Sequence, residues 1–97
     1  MPDLDLILDG IVHEYNRAVT LHRPMPSREN GLCVIAEELG ELAQAILRGE
    51  SDDRLIREAE SVGAMAIRFI HDCCGVGDVT PLRRPRPTHA DPSQGES

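Results

Sequence analysis

The chain has 97 residues, with 17 Asp and Glu against 10 Arg, no Lys and a formal net charge of -7, which bounds it to one small domain. Hydrophobic residues make up 40%, yet Tyr15 and Phe69 are the only aromatics. The basic excess and stacking rings of a nucleic-acid coat are missing, and no apolar run approaches the about 18 residues of a membrane helix, so neither a nucleic-acid polymer nor a membrane is expected as partner.

Three segments repeat apolar residues at helical spacing and none alternates as a strand does. The first helix is expected from about Asp3 to Leu21, with Leu4, Ile7, Leu8, Ile11, Val12, Tyr15 and Val19 on one broad face and Asp3 or Asp5 as cap. His22-Arg23-Pro24-Met25-Pro26 ends it, because each proline disfavours helical geometry in the residue before it. The second helix starts after Ser27 and ends near Arg48-Gly49, with Leu32, Ile35, Ala36, Leu39, Leu42, Ala43, Ile46 and Leu47 as its buried stripe. The third starts at Ser51 or Asp52 and runs to about Cys73, with a stripe of Leu55, Ile56, Ala59, Val62, Gly63, Ala66, Ile67 and Ile70. Gly63 and Ala66 suit a close helix approach. The fold is therefore expected to be all-α: a three-helix protomer of residues 1–74, completed into a helical bundle by oligomerisation.

Residues 75–97 hold Pro81, Pro85, Pro87 and Pro92 with Arg83, Arg84 and Arg86 and read as a disordered Pro/Arg-rich tail. The net charge then sits on residues 1–74, with seven Arg against fourteen acids. A chain this short buries only about 60–65% of its unfolded surface, so an enzyme site here is shallow or shared between subunits. The acidic start Met1-Pro2-Asp3 is no secretory signal, and three cysteines without a CxxC suit a reducing compartment, so a cytoplasmic location is expected.

The informative stretch is Glu37-Glu38-Leu39-Gly40-Glu41, three carboxylates within five helical residues. At about 100° per residue, Glu37 lies about 40° from Glu41 on one side and Glu38 about 60° on the other. A solvated acidic face is the plain alternative. Against it, two like charges about 4 Å apart repel by a few kcal/mol at an effective dielectric of ~20, and no Arg stands three or four residues after Glu37, Glu38 or Glu41. Dense oxygen ligands without relief suit Mg²⁺, with Mn²⁺ as second choice. Glu58 and Glu60 follow on the third helix, and antiparallel pairing across the 49–53 turn brings Glu58 level with Glu41, while Glu60 falls on the opposite flank.

This pattern resembles the EExxE…ExxD signature of the MazG-like all-α nucleotide pyrophosphohydrolases, and the context Ala36–Gly49 and Val62–Ile70 is similar too, over roughly residues 11–73. The resemblance implies a homodimer or homotetramer and a Mg²⁺-dependent attack of water on a nucleoside triphosphate, giving monophosphate and pyrophosphate. It implies Glu38, Glu41 and Glu58 as metal ligands and Glu37 as an outer ligand or the catalytic base. The signature's final aspartate has no counterpart, since Ser61 stands there. A catalytically silent MazG-like binding or regulatory module, or a structural oligomerisation unit, is the alternative. Without lysine, phosphate contacts fall to arginine: Arg54 and Arg57 first, Arg17 and Arg28 next. Asn16 is the candidate for reading a base edge and His13 or Tyr15 for stacking, with core packing the plainer role of Tyr15. The vicinal Cys73-Cys74 pair does not match a zinc spacing, and Cys33 reads as a small apolar residue.

Overall fold

The computed structural model describes residues 3–75, three helices with no strand among them: α1 (Leu4–Leu21), α2 (Arg28–Leu47) and α3 (Asp52–Cys73). The expected tail at 75–97 lies, from residue 76 on, outside the described residues. Each helix begins where a short polar side chain takes up a free backbone N–H. Asp3 accepts from Asp5 N, Ser27 from Asn30 N and Ser51 from Arg54 N. α2 ends on Gly49, whose φ of 67° is the left-handed conformation that only glycine adopts freely. There Gly49 N donates to Ile46 O and Glu50 N to Ala45 O, the paired bonds of a Schellman end. One residue later Ser51 caps α3, so the chain reverses within a few residues.

α3 is the spine. It packs against both α1 and α2, and the latter two do not pack on each other. α1 runs parallel to α3, with Gly10 beside Glu60 and Ile11 against Gly63. α2 runs antiparallel, with Gly31 facing the ring of Phe69. Residues 22–27 form a strap that crosses back over the C-terminal end of α3. Its two prolines donate nothing, His22 N donates to Ala18 O of α1, and α3 serves Arg23 O and Met25 N. Arg68 Nη2 donates to Arg23 O at 2.7 Å, and Met25 N donates to Asp72 Oδ2 at 2.9 Å. Arg28 Nε in turn donates to Cys73 O at 3.1 Å.

The core is small: Tyr15, Ala18, Met25, Ala64 and Met65, with Val34, Ile35 and Ile67 packed around it. Tyr15 is 1% exposed, a core residue as the plainer reading had it. The expected burial of the α2 and α3 stripes needs correction. Leu32, Leu39 and Ile46 are 65%, 54% and 56% exposed, and Ile56 and Ile70 are also open. The inward side of α2 carries Gly31, Val34, Ile35 and Ala45, so of the expected stripe Ile35 does pack on the core. Within one protomer α3 offers its contact surface to two helices, and the bulky face of α2 is left without a neighbour.

Candidate metal centre

The reversal at 48–51 sets the site. Glu41 lies six residues before the end of α2 and Glu58 six after the start of α3, so the antiparallel pair carries them at the same level. Glu38 sits one turn along α2 on the same side. One carboxylate oxygen each of Glu38, Glu41 and Glu58 lies within 4.8 Å of the others. Glu58 is buried at 9% exposure, Glu38 half-buried and Glu41 exposed, so the group stands at the base of a wall rather than on open surface.

That wall belongs to a cleft of about 1120 Å³ lined by all three helices and the strap. Glu37, Arg54, Arg57, His13 and Arg17 line it with the triad. Ser61 lines it too, one turn after Glu58, where the resemblance would have an aspartate. Glu60 also reaches the cleft, alongside Gly10 of α1, but is not one of the converging carboxylates. Two other candidates are elsewhere. Asn16 does not line the cleft, and its Oδ1 is buried without a hydrogen-bond partner. Arg28 is tied to the carbonyl of Cys73 at the far end of α3.

The electrostatics follow from this crowding. Burial, then the charges of Glu41, Glu58, Glu37 and Glu14 in that order, pushes the Glu38 carboxyl above its ordinary value. Glu14 of α1 was not among the sequence candidates. It is bound to Arg17 at 2.8 and 3.0 Å, and its approach to α2 comes from tertiary packing that no spacing within one helix reveals. Compensation is also partly internal: Arg54 Nε donates to Glu58 Oε2 at 2.7 Å, and the Arg17 guanidinium, bound to Glu14, acts on Glu38 through its charge. The same-helix rule missed this for Glu38 and Glu41 because Arg54 comes from the facing helix.

The donor set fits a hard cation. All donors are carboxylate oxygens, and oxygens around Mg²⁺ at about 2.0–2.1 Å stand about 3–4 Å apart, a rotamer adjustment from the spacing found here. The carboxylates in this group outnumber the guanidinium ion-paired within it, and a divalent cation would offset that surplus. Compared with protein-family models, with curated proteins and with solved structures, the chain matches none of them. No helix among the described residues is long and apolar enough to cross a membrane.

Proposed function

We propose that the protein is a Mg²⁺-dependent nucleoside triphosphate pyrophosphohydrolase of the MazG-like kind, acting in the cytoplasm as a homodimer or homotetramer. The observation that carries this reading is the convergence of Glu38, Glu41 and Glu58 from two helices to within 4.8 Å. Its support is the EExxE signature around it and the open cleft above it. In the reaction, the oxygen of water attacks the α-phosphorus and the bond to the α–β bridging oxygen breaks, leaving monophosphate and pyrophosphate. Glu38, Glu41 and Glu58 would hold a divalent ion, which would supply charge neutralisation for the phosphate oxygens. Glu37 orients the water and takes its proton. Arg57, in no ion pair among the described residues, and Arg54, once released from Glu58, contact the phosphates.

Ser61 favours the second reading, a silent binding module on the same scaffold, because a neutral hydroxyl stands where a fourth carboxylate would complete the donor set. Two measurements decide. The melting temperature is expected to rise with Mg²⁺, by the equivalent of about 2.7 kcal/mol at 100 times its dissociation constant. Pyrophosphate release is then read over a panel of nucleoside triphosphates. A melting shift without product from any nucleotide assigns the silent module, and no shift at millimolar ion leaves the structural unit.

A further inference from the structure

The cleft is not acidic throughout. Its acids all come from 14, 37, 38, 41, 58 and 60, whereas the end beneath the strap is lined by His22, Arg23, Asn30 and Arg68 with no carboxylate. Arg68 is the unusual member. It is 5% exposed, yet it takes part in none of the ion pairs among the described residues. Its Nη2 has the carbonyl of Arg23 and its Nη1 only the thioether of Met65 at 3.4 Å. Its Nε is buried with no hydrogen-bond partner at all. Guanidinium carries five donors in a fixed fork and stays charged at any relevant pH. A buried charge is ordinarily paired, and this one directly touches one neutral oxygen and one sulfur, while Asp72, one turn further along α3, spends its oxygens on Met25 N and His71 Nδ1.

We infer that Arg68, with His22 and Arg23, forms an anion subsite at the strap end of the cleft, one that takes a phosphate group. Arg68 follows Glu58 by ten residues, about 15 Å along the helix axis. One phosphate group therefore cannot touch both ends. An occupant seated on Arg68 presents a phosphate distant from the carboxylate triad, carried on a nucleotide or free. Arriving from the cleft, it displaces the Arg23 carbonyl from Nη2 and turns the fork, with its idle Nε, toward the ligand. The strap then loosens as the subsite fills.

The subsite stands apart from the metal reading, and its test is run without divalent ion. In the full-length ¹⁵N-labelled protein the Arg68 Nε–H gives its own signal, assigned by coupling from its backbone and by its absence from Arg68→Lys. Inorganic phosphate is titrated, with sodium chloride at equal ionic strength as control. The expected result is a saturable shift of this signal with phosphate, absent with chloride and unchanged in Glu58→Gln. A nucleoside monophosphate with a midpoint about tenfold lower than that of inorganic phosphate assigns the phosphate to a nucleotide, and equal midpoints assign free phosphate. An Arg68 signal that phosphate leaves in place, in protein that is folded by its amide spectrum, overturns the subsite whatever the metal experiment gives. Because the titration uses the unaltered chain, a failure of Arg68→Lys to fold does not affect it.

Discussion

Glu38 concentrates the chemistry in one side chain. Burial and four neighbouring carboxylates raise its proton affinity in the folded state. An acid with a raised folded pKa binds protons more tightly folded than unfolded, so stability falls as pH climbs from the usual carboxylate range through the raised value. Glu38→Gln removes the penalty. Without divalent ion, its melting temperature at neutral pH is expected above that of the unaltered protein, with the gap closing as the pH falls below the ordinary carboxylate range. In Mg²⁺ the order reverses, because only the unaltered chain gains from the ion. Equal melting curves at neutral pH without metal would mean that the carboxylates do not repel one another. Ser61 is the complementary position. It lies one turn after Glu58 on the cleft wall, so Ser61→Asp adds a fourth acid to the same side. Calorimetry is expected to show tighter Mg²⁺ binding, and scanning without metal a lower melting temperature. Unchanged affinity places residue 61 outside the metal's reach.

The helices themselves were largely legible in the sequence, because their ends are local events. Ser27, Ser51, Gly49 and the strap prolines act through the backbone within a few residues, and the structure has its helix ends where they indicate. The side of α2 that meets α3 was legible only in part. Apolar periodicity marks Leu32, Leu39 and Ile46 as a face to be covered, but it does not say by what. Ile35 of the same stripe packs on the core, beside Gly31 and Ala45, residues too small to weigh in such a pattern. Arg68 was passed over for the same reason: it sits in the apolar run Ala66-Ile67-Arg68-Phe69-Ile70, and only the tertiary fold tells a buried cation from an exposed one. Paired substitutions check the α2–α3 contact. A Cβ at Gly31 would lie 2.6 Å from Phe69 Cδ1 and 3.1 Å from Met25 Sδ, both in the packed interior. Overpacking of this kind costs about 1–3 kcal/mol, against a helix-propensity gain of at most about 1 kcal/mol, so Gly31→Ala is expected to lower stability in urea unfolding. Gly40 has nothing within 4 Å of its would-be Cβ, and Gly40→Ala keeps the whole propensity gain. If both changes stabilise the protein, α2 does not pack through Gly31.

At the scale of the whole molecule the question is what covers the outward faces. The described residues form a slab of 45 × 37 × 19 Å, and its thin dimension is about two helix diameters. A slab that thin cannot enclose side chains on both sides of each helix, and Leu32, Leu39 and Ile46, spaced seven residues apart, line one exposed face of α2. Monomeric proteins rarely expose contiguous apolar patches beyond a few hundred Å². Ile56 and Ile70 on α3, spaced fourteen apart, give a second such row. A heptad-spaced row is the pattern by which a helix meets another of its kind, so pairing through α2 between two copies would complete a bundle that one copy leaves open. The row gives the proposed homo-oligomer an expected contact face. Sedimentation of the unaltered chain is expected to give a species of at least twice 10.7 kDa. Leu39→Asp, a charge in the middle of the row, is expected to shift it toward the protomer, while Gln44→Asp, about 140° away around α2, leaves the mass unchanged. Because Glu38, Glu41 and Glu58 come from one protomer, a dissociated Leu39→Asp chain that keeps its helical circular dichroism should still show the Mg²⁺ melting shift. A 10.7 kDa species at every concentration for the unaltered chain would remove the oligomer without touching the metal site. Loss of the Mg²⁺ shift on dissociation would instead mean that the second copy completes the triad's surroundings.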